Sequence, residues 1–204
     1  METLIASPAT FGILAANVIA SFIAFSSHEF REANSFWIRP IRESGQWHRS
    51  ITSSFLHVNT GHLLVNMLTL YFFGPPLERI FGTTNFLLLY FASLLGGSIW
   101  MYFAKRDSLD YRAVGASGAI SGLMLAVAVL FPFATIYLMF AIPIWAGAFG
   151  ALFIIVSLVL SRRDNAVIAH GGHLGGAIAG LILTLVLQPN ALSRLLAQIA
   201  ERLG

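Results

Sequence analysis

From Ala113 to Ser161 the chain carries no aspartate, glutamate, lysine or arginine, and most positions are aliphatic or aromatic. A soluble helix or strand of that length must turn a polar face to water, so this run points to lipid. As one helix it would extend roughly 70 Å, at about 1.5 Å per residue. The hydrocarbon layer of a bilayer is only about 30 Å thick. The run therefore has to fold back, and Phe131-Pro132-Phe133 with Ile142-Pro143 supply the break. Two spans are predicted, about 117–130 and about 143–160. With no water to satisfy the backbone, such spans are expected to be helical.

Charge-free stretches mark four more spans. The first covers about 8–27 and the second about 55–73, the latter closed by the turn residues and charges of Gly74-Pro75-Pro76-Leu77-Glu78-Arg79. The third covers about 84–104, stopping at Lys105, Arg106 and Asp107. The sixth, about 166–187, follows a short loop, Ser161-Arg162-Arg163-Asp164. A long polar segment from His28 to Thr52 separates the first two, and its Trp37 and Trp47 suit a membrane interface. After the sixth span, Leu192, Leu195, Leu196, Ile199 and Leu203 recur at helical spacing opposite Arg194, Glu201 and Arg202. The expected fold is an all-α, polytopic transmembrane bundle forming a single membrane domain over 1–204. Its six-span core runs from about 8 to 188, and a short amphipathic helix lies on the membrane at about 190–204.

Composition narrows the function. Charged residues make up 10% of the chain, against about 25% in soluble domains. The net charge is +3, and the basic residues stand singly or in pairs without interleaved aromatics, so no nucleic-acid partner is expected. The absence of cysteine excludes disulfides, thiolate metal sites and a cysteine nucleophile. The opening METLIASPAT lacks a basic leader region, so the first apolar stretch reads as a retained span. No metal or other cofactor is expected: His170 and His173 have HxxH spacing, but no carboxylate or HExxH motif accompanies them.

Polar groups inside a membrane need a partner or a task. Three clusters qualify: His57, His62 and Asn66 in span two; Gly115-Ala116-Ser117-Gly118 with Ser121 and Gly122 at the start of span four; and His170 with His173 at the start of span six. Singly, each has a plain structural reading: a membrane serine bonds its own backbone, and glycines at four-residue spacing serve close helix packing. Together they say more. Gly118 and Gly122 form one small-residue stripe, and Gly172, Gly176 and Gly180 form another, with His173 beside it. Packed face to face, the two stripes would bring the entrances of spans four and six together. Ser117 could then reach His173, the pairing that turns a weak hydroxyl into a nucleophile. His62 and Asn66 lie four residues apart on one helical face, and with the Ser117 amide they could donate to an oxyanion.

These motifs resemble those of the rhomboid family of intramembrane serine proteases. Gly115-Ala116-Ser117-Gly118 is similar to the family's GxSG, and His62-Leu63-Leu64-Val65-Asn66 to its HxxxN. Gly172-His173-Leu174-Gly175-Gly176, continued to Gly180, is similar to its AHxxGxxxG. The resemblance covers about Trp47 to Leu187. It implies a Ser117 nucleophile, a His173 base without an aspartate, and an oxyanion hole of His62, Asn66 and the Ser117 amide. Gly115, Gly118, Gly122, Gly172, Gly176 and Gly180 would support the packing. It further implies transmembrane protein substrates cut in or near the membrane, an entry gate formed by span five, a structural role for Glu78, and residence in a bacterial cell membrane. The oligomeric state is not legible.

Three positions depart from the family pattern. Ser121 stands where an aromatic residue often stacks on the base, Gly172 where alanine is common, and Trp47-His48-Arg49 where the tryptophan and arginine usually adjoin. The rival reading within the family is a catalytically inactive relative that binds transmembrane helices. Orientation is contested as well. Even crossings put Arg31, Arg39, Arg42, Arg49, Lys105, Arg106, Arg112, Arg162 and Arg163 on one face. The positive-inside rule sends that face to the cytoplasm, whereas the resemblance sends it outward.

Overall fold

Glu78, an acid in an apolar stretch, turns out to organise one end of the bundle. In the computed structural model, which describes residues 6–138, 141–161 and 170–203, helix α1 spans Pro8–Ser26 with a proline in its first turn. A proline there removes an amide that would lack a partner anyway. The next two amides, Ala9 N and Thr10 N, donate to the Glu78 carboxylate at 3.0 and 2.8 Å. The hydroxyls of Thr10 and Thr83 donate to it at 2.8 and 2.9 Å. The buried carboxylate thus caps α1 from a distant part of the chain, at the end where the helix dipole favours a negative charge.

The long polar segment is an ordered layer rather than a plain loop. It holds α2 (His28–Asn34), β1 (Phe36–Trp37), α3 (Ile38–Ser44), α4 (Arg49–Thr52) and a 3-10 turn, Ser53–Phe55. Strand β1 pairs antiparallel with β2 (Arg112–Ala113). Buried Arg49 ties the layer together by donating to the backbone carbonyls of Glu32 and Ser35 and to Gln46 Oε1. Phe36, Ile38 and Ile41 form its small core against Met101 and Tyr102.

Helix α5 runs from Thr60 to Lys105 and corrects two expectations. It starts at Thr60 instead of near Phe55, because Asn59 takes the N-cap and accepts from His62 N at 2.8 Å. His57 therefore precedes the helix, buried, with Nδ1 2.8 Å from Ser21 Oγ. Gly74-Pro75-Pro76 does not end the helix either. Both prolines lie inside it, as apolar-span helices tolerate where neighbouring groups pack around the freed backbone. The break falls at Gly82, whose φ of 75° and ψ of 158° are open in practice only to glycine. Both ends of α5 return to one region: His62 lies against Gly115, and Gly97 against Gly118. The limbs 60–81 and 83–105 are therefore folded back on each other.

Helix α6 spans Ser117–Leu130 as the sequence predicts. The connection after it does not fit an all-α fold. Strands β3 (Thr135–Leu138) and β4 (Ile142–Trp145) pair in a hairpin whose residues 139–140 lie outside the described ones. Prolines at 132 and 143 remove helical amides while Thr135, Ile136 and Tyr137 favour strand, so ladder bonds satisfy the backbone instead. Span five consequently starts at Ala146, with α7 covering Ala146–Ser161. Helix α8 covers His170–Leu187, and the expected loop residues 162–164 and the span start at Ala166 lie outside the described residues. Helix α9, Ala191–Leu203, leaves Leu192, Leu196 and Ile199 exposed along one face.

Three of the described helices, α1, α5 and α8, have the length and apolar composition to cross a membrane. The six expected spans are not all separate long helices: two are merged in α5, while α6 and α7 are apolar but only 14 and 16 residues long.

Helices α5, α6 and α8 interlock through glycine. A side-chain carbon on Gly97 would stand 2.6 Å from the Gly172 carbonyl oxygen, and one on Gly118 3.3 Å from the same oxygen. On Gly176 it would strike the Gly118 carbonyl, and on Gly180 the Gly122 backbone. The two stripes seen in the sequence do lie face to face. Gly96 and Gly97 of α5 form a third that the sequence reading missed, although an adjacent glycine pair inside an apolar span was a usable signal.

Candidate active site

Ser117 is the first residue of α6, and its approach is built for a tight turn. Gly115 has a φ of 135°, and its amide donates to Ser53 O at 3.0 Å. A side-chain carbon there would stand 2.7 Å from His62 Cε1 and 3.1 Å from its Nε2. Two independent causes therefore require glycine, a left-handed backbone and a histidine ring in the space a side chain would fill. The same built position is 3.7 Å from Ser117 Oγ, so the His62 ring and the hydroxyl both border the space at Gly115.

Across the glycine seam, Ser117 Oγ lies 2.7 Å from His173 Nε2. With the hydroxyl donating, Nε2 accepts and the ring proton sits on Nδ1. Ser121 one turn later donates to Ser117 O at 2.6 Å, so it stays with the backbone rather than the histidine. The aromatic contact absent from position 121 comes from another helix. Phe153 of α7 stacks on the His173 ring, with centroids 5.8 Å apart and planes at 28°. Phe149 stacks on Phe153 in turn, at 5.9 Å and 29°. His170 meets the His173 ring edge-on at 5.7 Å and is not the residue bonded to Ser117. Phe153 escaped the sequence reading because a phenylalanine in an apolar span carries no polar or small-residue signal.

The expected oxyanion donors are placed unequally. Helix geometry leaves the first amides of α6, that of Ser117 among them, without intrahelical acceptors. His62 is at hand, its ring edge-on to that of His57 at 5.0 Å. Asn66 lies one turn further along the same helix, buried, with Nδ2 donating to His62 O at 2.9 Å. One of its two amide hydrogens is thus held by its own helix.

A small, partly open cleft adjoins Ser117 and His173, bounded by Ser53, Ser54, Ser98, Met101 and the glycines of the seam. Its serine-lined wall is fixed by Ser98 Oγ, which donates to Ser50 O at 2.7 Å. A hydroxyl–imidazole pair at a helix N-terminus, beside a partly serine-lined cleft and inside an apolar bundle, has the groups that acyl transfer to water requires.

Comparison with known proteins agrees in kind. A family sequence profile described as "Rhomboid domain" matches residues 44–190. The chain is 38% identical over 155 residues to RHOMBOID-like protein 12, mitochondrial, of Arabidopsis thaliana, covering 69% of this chain and 46% of that protein. It is 34% identical over 147 residues to rhomboid protease GluP of Bacillus subtilis (strain 168), covering 70% and 26%. It is 34% identical over 139 residues to rhomboid protein 1, mitochondrial, of Saccharomyces cerevisiae, covering 65% and 34%. The chain thus matches less than half the length of each of these relatives. Mitochondrial proteins stand beside the bacterial one among them, so the bacterial cell membrane expected from the sequence is not supported.

Proposed function

This chain belongs to the rhomboid family, and on that footing we propose that it is an intramembrane serine endopeptidase acting through a Ser117–His173 dyad. The observation that carries the reading is the 2.7 Å contact between Ser117 Oγ and His173 Nε2. The substrates are membrane proteins with a single span, unwound locally so that a backbone carbonyl can meet the serine. His173 Nε2 takes the hydroxyl proton as Ser117 Oγ bonds to the scissile carbonyl carbon. The oxyanion that forms is held by the Ser117 amide, His62 and the free amide hydrogen of Asn66. The imidazolium then gives its proton to the leaving amine, and the C–N bond breaks. Water, activated by the same ring, hydrolyses the acyl–serine ester.

The proposed architecture has six crossings, made by α1, the two limbs of α5, α6, α7 and α8. In this arrangement the dyad lies below the membrane surface and the cleft beside Ser53 and Ser98 supplies water. Span five, carried by α7, admits the substrate.

The test is cleavage of a model single-span substrate in proteoliposomes by the intact chain, Ser117→Ala and His173→Ala. Each substitution is expected to lower the rate by at least about a thousandfold. A folded, reconstituted chain that cleaves no substrate and leaves Ser117 unlabelled by a serine-directed phosphonate would identify an inactive helix-binding relative instead.

A further inference from the structure

We infer that Phe153 is the positioning residue for the His173 base, so that the base is fully assembled only while α7 is packed against the bundle; this rests on the protease reading above. Among the described residues, the His173 ring has one hydrogen-bonded partner, Ser117. A single bond at Nε2 tethers one atom of the imidazole and restrains the tilt of its plane only weakly. No carboxylate of the described residues bonds Nδ1, so the plane must be set by packing. On one side His170 supplies only an edge. Phe153 supplies a near-parallel face at 5.8 Å, itself backed by Phe149.

An aromatic face does more than fill space. Its quadrupole attracts a cation held above it, and the base becomes a cation as it takes the serine proton. The contact is therefore stronger in the transition state than in the resting enzyme, which is what raises a rate rather than an affinity. Ser121, bonded to Ser117 O and buried, does not share this task. The stack has a consequence for motion. Within the chain α7 buries only Ala146, Gly150 and Ser157, so its hold on the bundle is light. Displacement of α7 toward lipid takes Phe153 off the ring and loosens the base until the helix returns.

The decisive variants are Phe153→Leu, which keeps apolar bulk and removes the face, and Phe153→Tyr, which keeps the face. Ile155→Ala, on the exposed side of the same helix, serves as control. Each is reconstituted and measured three ways: cleavage of the single-span substrate, the rate at which a small fluorophosphonate modifies Ser117, and the thermal midpoint. A fluorophosphonate is far smaller than a transmembrane helix, so its rate reports the dyad rather than entry. Phe153→Leu is expected to lower kcat and the modification rate together by about three- to tenfold, with KM and midpoint unchanged. Phe153→Tyr should restore both. Wild-type modification by Phe153→Leu with altered substrate cleavage overturns the inference and makes Phe153 an entry residue only. Equal modification rates in the Leu and Tyr variants also overturn it. Failure of the intact chain to be modified at Ser117 at all overturns the protease reading, and this inference with it.

Discussion

The two walls around His173 are held in opposite ways. On one side α6 buries ten of its fourteen residues, from Ala119 to Val129, and meets α8 backbone to backbone through Gly118, Gly122, Gly176 and Gly180. On the other, α7 buries three of its sixteen residues and touches the site through aromatic faces. A glycine seam has no side chains that can rearrange, so it fixes distance: the Ser117–His173 separation is set by backbones that cannot approach further. An aromatic stack tolerates sliding. The molecule thus separates a rigid element that sets reach from a looser one that sets ring orientation.

The contrast can be broken most severely at the seam. Gly176→Leu would drive a side chain into the Gly118 carbonyl, costing about 3 kcal/mol or more and parting the dyad. Loss of both cleavage and Ser117 modification, with a lowered thermal midpoint, is the expected result, and a variant of normal activity would show that the seam does not set the dyad distance. On the loose wall, a carbon built on Gly150 stands 2.7 Å from Ala128 Cβ, and the chain has no cysteine of its own. The pair Gly150→Cys with Ala128→Cys, after a small outward shift toward disulfide spacing, should lock α7. Oxidation is then expected to slow cleavage of a transmembrane substrate by about tenfold or more. Modification of Ser117 by the small probe should persist, and reductant should restore cleavage. Equal cleavage in both redox states would mean that α7 stays in place during turnover.

Away from the site, Glu78→Ala would strand four donors on Ala9, Thr10 and Thr83. Unfolding should reveal a loss of about 2–4 kcal/mol, with the activity of the folded fraction largely kept. The smallest effect belongs to the surface layer. The Arg112 guanidinium, bonded to Glu32 and stacked on Trp37 at 3.6 Å, holds the Glu32 carboxyl below its ordinary range. A lowered carboxyl contributes stability that is present above its unfolded pKa and fades as pH falls through the folded one. The midpoint difference between the intact chain and Glu32→Gln should therefore be slight at neutral pH and vanish in acid.

Some of this was legible from residue types alone. The charge-free run after Ala113 demanded apolar helices, and α6 begins and ends where proline and glycine said it would. Ser117, His62 and His173 stood out because polar groups are conspicuous in lipid. Other features were hidden for identifiable reasons. Gly74-Pro75-Pro76 read as a turn, yet proline inside a membrane helix is tolerated once neighbours pack around it. Gly82 looked ordinary because nothing local announces a positive φ. The hairpin 135–145 was obscured because an apolar run has the same composition in a strand and a helix.

The sequence by itself determined the solvent and the candidates for chemistry: a chain this poor in charge suits a bilayer, and the few polar residues in its apolar spans stand out. Only the tertiary structure decided how those candidates meet. Glycine stripes permit close approach without naming their partners, and it took the packing of α5, α6 and α8 to bring Ser117 to His173. Which ring faces His173 was decided there too, by Phe153 on α7, because stacking depends on where two rings lie in space and leaves no mark in the order of residues.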